Sequence, residues 1–195
     1  MSVLWKRQKA VRLDDFSPAE IDLRRLEIWE GESVEVTPAG KFHNELAVRL
    51  LLLFHDYCLV RPDLYRAGDN DGFVVARDPD TFLSPDAALY RLRREDSGPW
   101  HLFSPDIAAE ILSPENTRAE MLHKRDLYLS GGSEQVWIVD PDEKSLEIHF
   151  NDGRLMVATE GVVECEGTAK GLKIDLGRLF EPPPFAALSS SPQGL

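Results

Sequence analysis

Hydrophobic residues recur along the chain with two different periods, which predict a mixture of helices and strands. Residues 40–58 carry apolar side chains three or four positions apart, which is typical of an amphipathic helix. The stretch 25–38 alternates on either side of Glu30-Gly31, and this pattern predicts a β-hairpin. The runs SPAE at 17–20 and TRAE at 117–120 are capping boxes, so helices are expected to begin there.

Short apolar runs between turn residues predict the strands. DIAAEILS at 106–113 is apolar on both faces, as expected of a central strand covered by helices on each side. Further strands are predicted at 59–66, 72–77, 82–92, 135–141 and 145–150, with two or three short ones within 151–180. Strands run together instead of alternating strictly with helices. The expected fold is therefore α/β in the α+β sense, a central mixed sheet flanked by helices, with extra hairpins.

A chain of 195 residues is expected to form one domain. We expect an N-terminal extension over 1–16, a folded domain over 17–180 and a flexible tail, rich in Pro and Ser, over 181–195. The formal charge of −12 argues against a protein that coats nucleic acid non-specifically, because such binding needs a broad positive face.

Compartment and membrane contact are judged from the cysteines and the apolar runs. Cys58 and Cys165 lie far apart and form no disulfide framework, which favours a reducing cytoplasm. MSVLWKRQKAVRL lacks the apolar core of a secretory signal. LAVRLLLLF at 46–54 is too short to span a bilayer and is interrupted by Arg49, so no membrane partner is expected.

Glu110 interrupts the apolar strand at 106–113, and a buried carboxylate is costly unless something pairs with it. Asp86 begins the preceding strand, and a hairpin loop over 93–105 would make the two strands antiparallel neighbours. The two carboxylates would then lie side by side and repel unless a cation neutralises them. A divalent metal does this, since magnesium takes one or two carboxylates plus water and substrate phosphate. The structural alternative is an ion pair of Glu110 with Arg125 or Lys124.

The position two residues after Glu110 would share its strand face, and a lysine there could orient a water molecule. That position is Leu112, which carries no charge. Lys124, on the following helix, is the candidate replacement. It lies at the edge of an apolar stripe, so its stem can be buried while its ammonium turns toward the sheet.

In their order, these segments resemble the Uma-two family of restriction-endonuclease-like proteins, which is similar to the PD-(D/E)XK nuclease superfamily. The resemblance runs from about residue 17 to 180. It rests on Pro85-Asp86, EILSP at 110–114, the helix with Glu120, Lys124, Arg125 and Tyr128, WIVDP at 137–141, and LEIWEGE at 26–32, while His43 falls where the family often has histidine.

The resemblance implies a restriction-endonuclease-like core and an endonuclease that hydrolyses DNA phosphodiester bonds with Mg²⁺ or Mn²⁺. It implies Asp86 and Glu110 as metal ligands and catalytic residues, with Lys124 as the catalytic lysine. It suggests Glu27 as a further acidic residue at the site. It also allows a homodimer, since many such nucleases dimerise to cut two strands.

Two other functions stay open at this point. The charge of −12 and the absence of a lysine at 112 favour a non-catalytic binding or scaffold protein that keeps the fold. A hydrolase of a small phosphorylated substrate would avoid the charge conflict with long DNA. Individual acids also have plain structural explanations. Asp86 could accept backbone hydrogen bonds where a strand begins, and Glu27 could be a solvated acid of the hairpin.

Overall fold

The computed structural model describes residues 10–36, 40–68, 71–93, 98–114 and 116–183, and the predicted tail lies outside them from residue 184 onward. Its helices are α1 (Pro18–Arg24), α2 (Lys41–Val60), α3 (Arg118–Ser130) and α4 (Leu176–Leu179), with 3₁₀ turns at Leu13–Asp15 and Gly167–Ala169. Its strands are β1 (Leu26–Trp29), β2 (Glu32–Glu35), β3 (Leu64–Gly68), β4 (Phe73–Ala76), β5 (Thr81–Leu83), β6 (Ala87–Arg91), β7 (Ile107–Ile111), β8 (Gln135–Asp140), β9 (Ser145–Phe150), β10 (Leu155–Ala158), β11 (Val162–Glu164) and β12 (Lys173–Asp175).

Both predicted capping boxes are confirmed. The Ser17 side chain accepts a hydrogen bond from the Glu20 amide at the start of α1. Thr117 does the same for the Glu120 amide at the start of α3, while the Glu120 carboxylate accepts from the Thr117 amide at 2.7 Å. These reciprocal bonds satisfy amides that have no partner inside the helix, so each helix begins where the sequence predicted.

The central sheet has six strands in the order β10-β9-β8-β7-β6-β3. β7 and β8 are parallel, and the other neighbouring pairs are antiparallel. The parallel pair needs a crossover connection, and α3 supplies it. The predicted mixed sheet with flanking helices is confirmed, and so is the antiparallel pairing of β6 with β7.

The prediction of one strand over 82–92 is wrong. That segment forms two strands, β5 and β6, which belong to different sheets. Pro85 lies between them, and a proline has no amide proton to donate to a strand ladder. The chain leaves the first sheet at Leu83 and enters the central one at Ala87.

Alternation along β7 decides which layer each side chain enters. Ile107, Ala109 and Ile111 pack into the core cluster formed with α2, whereas Ala108 packs into the cluster formed with α3. Since successive side chains of a strand point to opposite faces, Glu110 faces α3. On β6, Ala88 lies on the α3 side in the same way.

A second sheet, of order β2-β1-β5-β4, lies beside the central one. On β1, Leu26 and Ile28 enter a third core cluster with Ile21 of α1 and Leu13 of the predicted N-terminal extension. The intervening residues Glu27 and Trp29 therefore point to the other side, and Trp29 packs against the cluster that contains α3. The second sheet thus presents an acid to the same helix that Glu110 faces.

Candidate functional site

Glu110 lies late on β7 and is 4 % exposed. Its Oε1 atom is 2.6 Å from the Lys124 Nζ atom and accepts a hydrogen bond of 2.9 Å from the Tyr128 hydroxyl. Lys124 and Tyr128 are four residues apart on α3, so they lie one turn apart on the same face of the helix. The strand and the helix meet through these three polar side chains in an otherwise apolar layer.

Lys124 is bound by two acids. Besides Glu110, its Nζ atom is 3.1 Å from the Glu27 Oε1 atom, and the lysine is 5 % exposed. The sequence left both Lys124 and Arg125 open as partners of Glu110. The structure brings Lys124 to it, while Arg125 pairs with its neighbour Asp126 at 2.7 Å.

Glu27 is not a solvated hairpin acid, because it is only 2 % exposed. Its Oε2 atom accepts from the indole Nε1 of Trp29 at 2.8 Å. Its Oε1 atom accepts from the Ser84 amide at 3.0 Å, in addition to the contact with Lys124. These three contacts come from β1, from the segment that joins β5 to β6, and from α3.

Asp86 precedes β6 and reaches across to β7. Its Oδ2 atom accepts from the Ile111 amide at 2.7 Å, directly beside Glu110, and lies 3.2 Å from the His43 Nε2 atom. Its side chain is 12 % exposed, which makes it the most open of the three acids. The backbone bond that the structural alternative predicted is present, and it holds the carboxylate at the residue that follows Glu110.

Acids outnumber the lysine in the cluster, since Glu27 and Glu110 share Lys124 while Asp86 contacts His43. Burial raises the pKa of Glu110 to about 8; the ammonium of Lys124 opposes this rise, and the charges of Asp86 and Glu27 add to it. For Lys124, burial alone would lower the pKa, but the neighbouring Glu110 and Glu27 carboxylates raise it above the usual value. Burial, reinforced by Glu110, also raises the pKa of the Tyr128 hydroxyl. Lys124 is therefore charged at neutral pH, and Glu110 holds a proton more readily than an exposed glutamate does.

All four predicted site residues, Asp86, Glu110, Lys124 and Glu27, thus come together at one end of β6 and β7. Sequence reasoning did not place His43, Tyr128 or Trp29 in the cluster. Tyr128 carried a usable signal, since it lies four residues after Lys124 on one helix. The contact of His43 with Asp86 joins two distant segments and has no local signature.

Comparison with known proteins identifies the family. A profile of the Uma2 family, described as "Putative restriction endonuclease", matches residues 13–176. The chain belongs to the Uma2 family. A crystal structure from Anabaena variabilis, described as a putative nuclease belonging to DUF820, superposes with a TM-score of 0.69 at 19 % sequence identity, over 80 % of this chain and 89 % of that chain. At this identity the likeness shows the fold. No curated protein matches the chain.

Membership of the Uma2 family supports a nuclease at the level of the family, with the nuclease-like fold that the sequence predicted. In the part of this Uma2 protein that the structure describes, no helix is both long and apolar enough to cross a membrane.

The residues of this Uma2 protein fit the divalent metal that the sequence resemblance implies. Asp86 and Glu110 are adjacent carboxylates, and hard cations such as Mg²⁺ prefer oxygen ligands. Over the described ranges, no group of three or more His, Cys, Asp or Glu side chains could hold a metal ion by itself. Two carboxylates are nonetheless sufficient, because Mg²⁺ commonly completes its shell with water and substrate phosphate. The excess of negative charge in the cluster also favours a further cation.

An open pocket of about 600 Å³ lies next to the cluster on the His43 side. Its wall includes His43, which contacts Asp86, and Leu112, two residues beyond Glu110. The polar side chains of the wall are Lys41, Ser113, Asn116, Asp140, Asp142 and Glu143.

Proposed function

We propose that this Uma2 protein is a Mg²⁺- or Mn²⁺-dependent endonuclease that hydrolyses phosphodiester bonds of DNA. The observation that carries the proposal is the buried ammonium of Lys124 between Glu27 and Glu110, with Asp86 alongside. A purely structural ion pair needs one acid for one lysine. Buried carboxylates in excess are costly without a further cation, and perturbed pKa values of this kind concentrate at functional sites.

In this proposal, Asp86 and Glu110 hold the metal ion. When bound, the ion polarises the phosphoryl group and lowers the pKa of water. The Ile111 amide and His43 fix the Asp86 carboxylate, which therefore needs little rearrangement. Lys124 directs its ammonium at the negative charge that develops on the phosphate, where a preorganised cation in a dry site has its largest effect.

The substrate is proposed to approach through the pocket beside His43 and Leu112. Lys41 is exposed at the start of α2, where the helix dipole is positive, and this end of the pocket favours a phosphate. Asp142 and Glu143 lie on the same wall and disfavour one. The scissile backbone is therefore expected on the Lys41 side.

Nicking of supercoiled plasmid tests the proposal, with Mn²⁺ present and with low salt to offset the negative charge of the protein. Wild type is expected to nick the plasmid. Asp86→Asn is expected to reduce the rate by about 10²–10³-fold, the usual loss when one group that stabilises the transition state is removed. The matched control is Asp56→Asn, which removes an exposed acid from α2. Equal rates for Asp86→Asn and wild type would remove Asp86 from the site.

The second candidate is a hydrolase of a small phosphorylated substrate, and the pocket itself favours it. A volume of about 600 Å³ is in the usual range for small-molecule sites, and the charge of −12 disfavours long DNA. Bis(p-nitrophenyl) phosphate and p-nitrophenyl phosphate distinguish the two candidates. Cleavage of these esters without plasmid nicking would favour the second candidate. Absence of both activities with Mg²⁺, Mn²⁺, Co²⁺ and Ca²⁺ would favour the non-catalytic scaffold.

We also propose a homodimer as the cutting species, since a duplex has two strands and each chain carries one cluster. Light scattering measures the mass of the protein with and without DNA. A protein that stays monomeric and still linearises plasmid in one binding event would contradict the proposed dimer. The cytoplasm is the proposed compartment, because Cys58 and Cys165 are free thiols.

A further inference from the structure

Glu27 is held more rigidly than its position in a hairpin strand would suggest. The Trp29 indole and the Ser84 amide each donate a hydrogen bond to it, at 2.8 and 3.0 Å, one to each oxygen. Donors on both oxygens prevent the carboxylate from rotating. The Oε1 atom then meets the Lys124 Nζ atom at 3.1 Å in a fixed direction.

Trp29 also fixes β1 against α3 next to Lys124. Its ring lies 5.6 Å from the ring of His123, centroid to centroid. The neighbouring Glu30 places its Oε2 atom 3.6 Å from the His123 Nε2 atom. The indole therefore contacts the helix at the residue before the lysine, while its N–H orients the acid that binds the lysine.

We propose that Trp29 is a positioning residue that acts through Glu27 to fix the ammonium of Lys124. The role of Lys124 in cleavage rests on the proposed function, whereas the positioning itself does not. Trp29 does not line the pocket beside His43, and one hydrogen bond, from its indole N–H to Glu27, links it to the acid that binds Lys124.

A lysine side chain needs such a fixture, because its stem has four rotatable bonds and its ammonium has no preferred direction of bonding. Glu110 alone does not provide one, since it also faces Asp86 and accepts from Tyr128. Glu27 is held by donors from outside α3, so it keeps the ammonium in place when Glu110 engages another cation.

The first test observes the ammonium directly and needs no enzymatic activity. ¹⁵N NMR at pH 6 detects lysine ammonium groups whose protons exchange slowly with water. The Lys124 signal, assigned by its loss in Lys124→Arg, is expected in wild type. Trp29→Phe keeps a ring against His123 but removes the N–H. We expect proton exchange at Lys124 to accelerate about tenfold, because the local opening that exposes the ammonium to water becomes about ten times more frequent. Trp137→Phe is the matched control, because it also removes a buried indole N–H, one that donates to Gln135 on the α2 side of the central sheet.

A replacement of identical shape guards against a folding defect. Trp29→benzothienylalanine changes only the N–H to sulfur, so packing is retained. If exchange at Lys124 is unchanged in this variant while the melting temperature of Trp29→Phe falls, Trp29 is a packing residue and the proposal is wrong. Faster exchange in both variants, with native melting, supports it.

The second test is a double-mutant cycle in plasmid nicking. Trp29→Phe is expected to reduce nicking about tenfold, and Glu27→Gln by at least as much. If Trp29 acts through Glu27, Trp29→Phe has no further effect in the Glu27→Gln background. If the double variant loses nicking activity by the product of the two single losses, the proposal is wrong. If wild type does not nick DNA at all, the proposed function fails, and the ammonium measurement still decides whether Trp29 positions Lys124.

Discussion

A buried acid lies near each end of β7, and the two acids differ in how fully nearby cations balance them. Asp106, just before the strand, is 6 % exposed, and Glu110, late in it, is 4 % exposed. Asp106 accepts from both the amide and the guanidinium of Arg91, and Arg93 lies 4.0 Å away. Glu134 lies 3.9 Å from Arg91 as well, so two acids meet two arginines and the charges balance. Glu110 shares one lysine with Glu27, and the adjoining Asp86 contacts His43, so three acids meet one lysine and one histidine.

The comparison shows that burial of an acid does not by itself mark a functional site. Asp106 is balanced by its own partners and has the features of a structural ion pair that ties β6 to β7. At the Glu110 end the acids outnumber the lysine, and without a further cation a proton on Glu110 reduces the excess of negative charge. What distinguishes the two ends is the sum of charges within contact, and this sum is a property of the fold.

Removal of the cation at each end should have the largest effect on this contrast. Lys124→Met is expected to reduce plasmid nicking by about 10²–10³-fold and to destabilise the protein by about 3–5 kcal/mol, because it leaves buried acids unpaired. Arg91→Met should leave nicking unchanged below its melting temperature, since it lies at the other end of β6. Urea unfolding and initial nicking rates measure the two effects.

Lys124→Arg separates charge from shape. The charge is kept, so most of the stability should remain, but a planar guanidinium does not replace a compact ammonium and nicking should stay well below wild type. Full activity in Lys124→Met, or equal losses at Lys124 and Arg91, would show that the two ends do not differ in function.

Much of this contrast could be predicted from local sequence. Capping boxes located the start of α3, and its apolar stripe placed Lys124 where its stem could be buried. The hairpin loop correctly gave the antiparallel pairing of β6 and β7. These features depend on neighbours in the chain, and helix and strand periods report them well.

The remaining features depend on long-range packing. Glu27 belongs to a separate sheet, and alternation along β1 does not tell which face docks on α3. His43 contacts Asp86 from the first turn of α2, and no spacing of residues in the sequence predicts this contact. The break at Pro85 could have been predicted, because a proline cannot continue a central strand, but the apolar residues on both sides suggested one long strand.

The raised pKa of Glu110 predicts how stability changes with pH without divalent metal. The folded protein binds a proton that the unfolded chain releases, so this residue makes the free energy of unfolding fall as pH rises from about 4.5 to about 8. One proton gives a slope of at most about 1.4 kcal/mol per pH unit. The raised pKa of Lys124 acts only above its usual value of 10.5, outside this window.

Glu110→Gln should remove this fall, because an amide does not ionise there. Glu160→Gln, which removes an exposed acid, should keep it. Urea unfolding at four pH values measures each slope. An unchanged slope in Glu110→Gln would mean that Lys124 balances Glu110 as completely as Arg91 balances Asp106, and the contrast between the two ends would then be lost.

The smallest expected effect is the stabilisation by a divalent ion, and it sharpens the contrast most selectively. An ion that binds only the folded protein stabilises it by about 1.4 kcal/mol at ten times its Kd. Mn²⁺ should therefore raise the melting temperature of wild type, and Asp86→Asn should lose most of this rise because it removes one of two carboxylate ligands. Asp106→Asn should keep the full rise relative to its own metal-free melting temperature, even if that temperature is lower, since Arg91 already neutralises that end of β7.

Calorimetric titration with Mn²⁺ gives the Kd of each variant independently. Loss of the rise in both variants would point to binding at scattered surface acids, and retention in both would remove Asp86 from the ion site while leaving Glu110 and Glu27 to be tested in the same way.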